Sequence, residues 1–286
     1  MIVIAEPVEM QRLALAWRTE GARIAVVPTM GALHEGHRSL IRIARARADR
    51  VVVTLFVNPA QFGPGEDFER YPRSFERDRA VCETDGADVL FAPSAAAMYT
   101  PDHSTWVEET VLSRGLCGAR RPGHFRGVAT VVVKLFMLTQ PHVAVFGEKD
   151  AQQLRVIRRV VRDLNLPVEI IPGPTVREPD GLAMSSRNAY LSGEERRQAV
   201  ALRRALDEAE RRFAAGQRDV TALRTAIAET IRKLAPAATV DYIEIVDNDT
   251  LEPLTQVDRA ALVAIAVRFP SARLIDNTVL RPEPVC

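Results

Sequence analysis

No apolar run in this chain approaches the ~20 residues needed to cross a bilayer, the longest being Val51–Val57 and Ala260–Val267. The opening Met1–Arg12 carries Glu6, Pro7 and Glu9 where an export signal would have basic and then apolar residues, so a cytoplasmic location is expected. Cysteine is scarce. Cys82, Cys117 and Cys286 lie far apart with no CxxC or Cys/His spacing, which favours reduced, non-liganding thiols over zinc or a disulfide framework. An excess of one charge is missing too: 38 basic residues face 37 acidic ones, for a net charge of +1. That argues against a general nucleic-acid binder and leaves any affinity for a polyanion to a local patch. There is no internal repeat, no low-complexity tract and no nucleophilic Ser or Cys motif. What remains is an ordinary globular composition, 47% hydrophobic and 26% charged over 286 residues, enough for one large domain or two smaller ones.

Short apolar runs alternate with amphipathic segments over the first two-thirds. Ile24–Val27, Val51–Val57, Val89–Phe91, Val143–Phe146 and Val168–Ile171 read as strands buried on both faces. Ser39–Ala48, Phe75–Thr84, Ala129–Leu138 and Ala151–Leu164 read as the helices between them. Such alternation predicts an α/β fold: a Rossmann-like parallel sheet flanked by helices, with ligands outside the carboxyl ends of its strands. Beyond about residue 190 come two charged helical segments, Glu194–Ala215 and Val220–Leu234, then the strand-like Val240–Val246 and Leu262–Phe269. These predict a smaller C-terminal α+β domain. The boundary falls in Pro172–Asn188, giving domains of about 1–175 and 176–286.

Four segments carry chemistry. The first, Pro28–His37, follows the first predicted strand; Gly31 and Gly36 allow close backbone approach, and the helix start offers N–H groups to phosphate. His34 and His37 bracket Gly36 and suit donation to an α-phosphate or a leaving pyrophosphate, while simple helix capping is the plainer alternative. Their spacing is not that of a zincin H-E-x-x-H. In the second, Val57–Gly63, the amides of Asn58 and Gln61 suit the hydroxyl and carboxylate of a hydroxy acid, although Pro59 and Gly63 would explain the turn without a ligand. In the third, Phe146–Gln153, Gly147 permits close packing, Lys149 supplies a charge for phosphate, and Asp150 holds a ribose hydroxyl or caps the next helix. Gln153 would point back to the same cleft. In the fourth, Thr175–Asn188, Ser185, Ser186 and Arg187 fit polyphosphate recognition at the domain junction, where a closing lid would meet nucleotide. Among Asp78, Asp85 and Asp88, Asp88 near a strand start is a candidate metal ligand, with a solvated carboxylate the commoner explanation.

The H-x-G-H of the first segment resembles the nucleotide-binding element of nucleotidyltransferases and class I aminoacyl-tRNA synthetases. The fuller strings PTMGALHEGH, FVNPAQF, FGEKDAQQ and GLAMSSRN, in order between about residues 24 and 192, resemble the pantothenate synthetase family. That resemblance implies a Mg²⁺-requiring, usually homodimeric ligase that joins (R)-pantoate to β-alanine through pantoyl adenylate, releasing pyrophosphate and AMP. It assigns Met30, Gly31, Ala32, Leu33, His34, Glu35, Gly36 and His37 to ATP, with His37 as proton donor. Gly147, Glu148, Lys149, Asp150, Val176, Met184, Ser185, Ser186 and Arg187 complete the nucleotide site. Gln61 and Gln153 take pantoate, and Gln61 also touches β-alanine. Acyl activation of this kind needs no protein nucleophile, only two anions held in line while charge develops on the leaving group. Two rivals share the fold: a nucleotidyltransferase adenylating another small acid or phosphate ester, and a non-catalytic nucleotide-binding module.

Overall fold

The structure, a computed structural model, describes residues 1–283; Cys286, expected to be a reduced thiol, lies outside the described residues. The chain folds as two compact units, one comprising Met1–Glu148 with Gln152–Pro174, the other Lys149–Ala151 with the chain from Thr175 onward.

The first unit begins with β1 (Ile2–Ile4) and α1 (Pro7–Thr19), followed by β2 (Ile24–Thr29), α2 (Glu35–Arg45) and β3 (Arg50–Leu55). It continues with α3 (Phe75–Thr84), β4 (Val89–Phe91), the short α4 (Ala95–Met98) and α5 (Leu116–Arg120), and α6 (His124–Thr139). β5 (Val143–Gly147), α7 (Ala151–Asp163) and β6 (Glu169–Gly173) close the alternation, α7 beginning at the unit boundary. The six strands are all parallel, in the order β1-β4-β3-β2-β5-β6. The central strands are nearly continuous in Val, Ile and Ala because both faces are covered. Ala25 and Val27 pack with Leu40, Ile41 and Ala44 of α2 and Cys82 of α3, each large aliphatic contributing roughly 1.5–3 kcal/mol by its burial. The chain runs outward from β2 through β3 to β4, then returns to place β5 on the other side of β2. Between β2 and β5 the crossovers diverge, and such a switch point leaves a crevice at the carboxyl ends of the two strands.

In the second unit α8 (Gly193–Ala199), α9 (Ala201–Ala214) and α10 (Val220–Leu234) share a core with the antiparallel sheet β7-β8-β9 (Thr239–Asp247, Ala261–Arg268, Arg273–Leu280). Leu202, Leu206, Leu223 and Ile227 from the helices meet Val263 and Ile265 of the middle strand.

Several elements differ from expectation. α2 begins four residues before Ser39, because His34 caps it at a position where apolar periodicity is silent. The single helix expected over Glu194–Ala215 divides at Val200, with Ser192 and Glu195 forming a capping box at its start. β1, α1 and β9 were not anticipated; β9 alternates polar and apolar residues too irregularly to stand out.

Candidate active site

The loop leaving β2 turns by two successive left-handed residues, Gly31 at φ +91° and Ala32 at φ +51°. Glycine takes such a conformation freely, whereas alanine pays roughly 1–2 kcal/mol for it. The cost is met by Asp78 of α3. This fully buried carboxylate accepts the Ala32 N–H at Oδ2 and the Leu33 N–H at Oδ1, both at 2.8 Å. A Cβ at Gly31 would lie 3.1 Å from Asp78 Oδ2, so the glycine also makes room for the anchor. Thr29 steadies the entry to the loop: its hydroxyl donates to the Thr54 carbonyl across the β2–β3 pair at 2.7 Å and accepts the Gly31 N–H at 3.3 Å.

The two histidines cap α2 reciprocally. His34 Nδ1 accepts the Gly36 N–H at 3.1 Å, and His37 Nδ1 accepts the His34 N–H at 3.3 Å. The missing side chain at Gly36 leaves space for the His34 ring, which an added Cβ would approach to 2.9 Å. The rings lie 4.1 Å apart, centroid to centroid. A neutral imidazole whose Nδ1 accepts must carry its proton on Nε2, so this capping box assigns one tautomer to both rings. Capping and donation, posed as alternatives from sequence, are thus compatible. The expectation that backbone N–H groups here await phosphate needs correction. Those of Ala32 and Leu33 are engaged by Asp78, and those of His34 and Gly36 by the two rings.

The turn after β3 begins with Asn58, capping a 3₁₀ turn over Pro59–Gln61. Asn58 is 1% exposed and fully bonded: its amide donates to Gln61 Oε1 (3.0 Å) and the Gly127 carbonyl (3.1 Å), and its oxygen accepts from Ala60 N–H (3.3 Å) and the Tyr99 hydroxyl (2.9 Å). Burial pushes the Tyr99 phenol up to about 12, which keeps it a donor. Asn58 therefore does not present its amide to substrate; it orients Gln61, whose Nε2 reaches Met30 Sδ at 3.1 Å. From behind, His124 Nδ1 (2.8 Å) and Arg121 Nη2 (3.2 Å) donate to the Gln61 carbonyl, and Glu66 holds Arg121 bidentately at 2.6 Å. Arg121 Nη1 lies 3.0 Å from His124 Nε2, which fits a neutral His124 protonated at Nδ1. Burial raises the Glu66 carboxyl, but its bonds and charge pairing with Arg121 outweigh this and hold it below the ordinary range.

At the end of β5, Gly147 has no neighbour within 4 Å of a hypothetical Cβ, so no close packing inside the protein requires it. Glu148–Asp150 form a 3₁₀ turn leading into α7. The buried glutamine here is Gln152, which accepts from Cys117 N–H (2.9 Å) and donates to the carbonyls of Leu112 and Gly115 (2.8 Å each); its neighbour Gln153 is half-buried. Asp88 immediately precedes β4, at the amino end of the strand. It binds Arg45 at 2.8 Å, approaches Arg50 at 3.8 Å and accepts the Val51 N–H at 2.7 Å, so the metal role considered for it is withdrawn.

In the second unit, Val176–Met184 folds back on itself like a hairpin, with Glu178 N–H bonded to the Leu182 carbonyl and Met184 N–H to the Val176 carbonyl. Arg177 clamps the turn. It donates to the Gly181 carbonyl at 3.0 Å and bidentately to Asp276 of β9 at 2.7 and 3.0 Å. Asn188 donates to Glu178 and to the Ala183 carbonyl, and Arg196 braces Glu178 and Asp180. Ser185 caps a 3₁₀ turn over Ser186–Tyr190, so Ser186 and Arg187 stand at its start. Within the same unit, Asn277 beside Asp276 donates to the Lys149 carbonyl at 2.9 Å.

Sequence reasoning missed Tyr99, Arg121, His124 and the use made of Asp78. Asp78 sits in a charged helix where a solvated carboxylate was the natural expectation.

A family model described as pantoate-beta-alanine ligase matches residues 2–279. A pantothenate synthetase of Thermotoga neapolitana is 56% identical over 280 residues, covering 98% of this chain and all of the relative. One from Oleidesulfovibrio alaskensis is 57% identical over the same length, with the same coverage. Among solved structures, pantothenate synthetase from Thermus thermophilus superposes with a TM-score of 0.93 at 47% identity, covering 99% of this chain and 100% of that one. A pantoate-beta-alanine ligase from Francisella tularensis, complexed with beta-gamma ATP and β-alanine, gives 0.82 at 32% identity over 98% and 97% of the two chains. The chain belongs to the pantoate–β-alanine ligase family.

Proposed function

We propose that this chain condenses (R)-pantoate with β-alanine at the expense of ATP, through pantoyl adenylate, to give pantothenate, AMP and pyrophosphate. The observation that carries the reading is the reciprocally capped His34/His37 pair on the loop whose Met30 is met by Gln61, in a chain matched to its family from residue 2 to 279. Pantoate's carboxylate attacks the α-phosphorus of ATP; the bond to the bridging oxygen breaks and pyrophosphate leaves. β-Alanine's amine then attacks the acyl carbon and AMP departs. Each step stabilises charge on departing oxygens, and oriented ring N–H groups in a preorganised loop do this without reorganising.

In this reading His37 donates through Nε2–H and His34 lies beside it. Lys149 supplies a point charge, while Gly147, Glu148, Asp150, Val176, Met184, Ser185, Ser186 and Arg187 are assigned to the nucleotide. Gln61 and Gln153 bind pantoate, and Asn58 acts by orienting Gln61. The first unit is the ATP- and pantoate-binding domain and the second the smaller lid domain of a cytoplasmic homodimer.

Magnesium, expected from the resemblance, finds no protein cradle among the described residues. Both Asp78 oxygens are engaged by amides, Asp88 is paired with arginine, and no group of three potential ligands is arranged to hold a metal ion. Mg²⁺ is commonly bound largely through substrate phosphates, so it would arrive with ATP; no step here is routed through it.

Pantoate-dependent exchange of labelled pyrophosphate into ATP, run without β-alanine, tests the proposal. Exchange that requires pantoate is expected. Exchange that ignores pantoate, or ATP binding with no turnover at all, would refute it.

A further inference from the structure

We infer that Asp78 is a positioning residue for adenylate formation: its buried carboxylate holds the histidine loop in its working shape by binding backbone alone. The inference rests on the proposed function for its catalytic consequence but not for its structural content. Three observations converge on it. Ala32 is left-handed with no side-chain reason to be so, and strained conformations of that kind persist only where the surroundings over-determine them. Asp78 is 0% exposed, and among the described residues it forms no ion pair with Lys, Arg or His; its side chain is met instead by two backbone N–H groups of one loop. Finally, a Cβ added at Gly31 would come within 3.1 Å of Asp78 Oδ2, so a side chain there would crowd the anchor.

The consequence for chemistry follows from the capping box. Leu33 leads directly into His34, whose backbone N–H and ring build the cap that sets both imidazole tautomers. If the amides at 32 and 33 lose their acceptor, Ala32 relaxes toward ordinary φ, and the chain entering His34 rotates. Both ring donors then lose their aim, while the sheet beneath, paired through β2 and β3, is untouched.

The test compares Asp78→Asn in two backgrounds. Asparagine is isosteric but turns an NH₂ toward one of the two loop N–H groups. In the ligand-free protein it should raise hydrogen exchange at the Ala32 and Leu33 amides and leave Val26 and Val27 of the central strand protected. Pantoate-dependent pyrophosphate exchange should fall about 30-fold, the scale expected when reacting groups are misplaced by a fraction of an ångström to an ångström. In the Ala32→Gly background the same substitution should cost only about 3-fold, because glycine occupies the left-handed region without help. Each double-variant rate is read against Ala32→Gly alone. A general loss of stability would not be relieved by adding a glycine, so that rescue separates positioning from mere structure. Equal losses in both backgrounds, or an Asp78→Asn rate within twofold of wild type, would overturn the inference. Should Asp78→Asn fail to fold, Asp78→Ser, which directs no NH₂ at the loop, replaces it in the same comparison. If the wild type shows no pantoate-dependent exchange, the proposed function fails instead, and the amide-protection measurement still decides whether Asp78 is the anchor.

Discussion

The histidine loop of the first unit and the segment leading to Ser-Ser-Arg in the second are both irregular chain that the family resemblance links to nucleotide, yet they are held by opposite means. Asp78 grips the first through backbone amides of Ala32 and Leu33. The second is fixed by side chain on side chain, through the bidentate Arg177–Asp276 pair and the Arg196 brace to Glu178 and Asp180. An amide-only anchor leaves the loop's side chains available for other work, and His34 and His37 use that latitude to cap α2 while carrying protons on Nε2. The ion-paired segment uses its charges to hold itself together, and Ser185 at its far end caps the turn that follows. The first device aims donors; the second builds a platform.

The sharpest way to break this comparison is at His37. His37→Ala should lower single-turnover adenylate formation roughly 10²–10³-fold, the usual cost of losing one transition-state donor. Since His37 also accepts the His34 N–H, the loss alone does not say which role matters. His37→Gln keeps an acceptor of the kind common at this position of capping boxes but has no ring N–H. It should retain the wild-type melting temperature and still be slow. A fast His37→Gln enzyme would reduce the histidine to a cap and dissolve the distinction between aiming and building.

On the platform side the expected effect is on stability. Asp276 is 2% exposed, and removing one partner of a buried pair leaves the other uncompensated. Asp276→Ala should cost about 3 kcal/mol, read as a roughly 100-fold loss of protection at the Glu178 and Met184 amides that close the hairpin. Protection that falls only a few-fold would mean the hairpin supports itself.

Much of this was legible beforehand, and what escaped has a physical pattern. The β-α alternation, α3 and α10 follow from period and length, and the four segments stand out because glycine, proline and histidine cluster at strand ends. Asp78 escaped because its partners are backbone amides, which every residue possesses and no sequence motif marks. Asp276 escaped because its partner lies 99 positions away, on a strand whose alternation was too broken to be recognised. Asn58 was misjudged for a related reason. An amide able to make four bonds looks like a ligand for substrate until the fold supplies Gln61, Gly127, Ala60 and Tyr99 to satisfy it. That reassignment is itself measurable. Asn58→Ala should raise the KM for pantoate roughly 10-fold, the scale of one or two lost hydrogen bonds, through a disoriented Gln61, with ATP affinity changed far less. An equal loss for both ligands would place Asn58 outside the Gln61 support.

The smallest effects separate the two units by how their carboxylates meet solvent. Glu66 and Arg121 are 26% and 14% exposed, whereas Asp180 in its pair with Arg196 is 43% exposed. Both carboxyls lie below their ordinary range, Glu66 because Arg121 outweighs its burial and Asp180 chiefly through its bond to Arg196. A carboxyl depressed in the folded state contributes stability that is present above its unfolded value, about 4.3 for glutamate, and is lost as pH falls through the folded one. The stability difference between wild type and Glu66→Gln should therefore be flat from neutrality down to about pH 5 and shrink below it. Raising salt to about 1 M, where the screening length is ~3 Å, should leave that difference nearly unchanged but erase most of the corresponding one for Asp180→Asn. Chemical denaturation with urea at several pH values and two salt concentrations reads both. Equal salt sensitivity in the two pairs would show that the support behind Gln61 is no better shielded than the brace on the platform, and the contrast between the units would then rest on Asp78 alone.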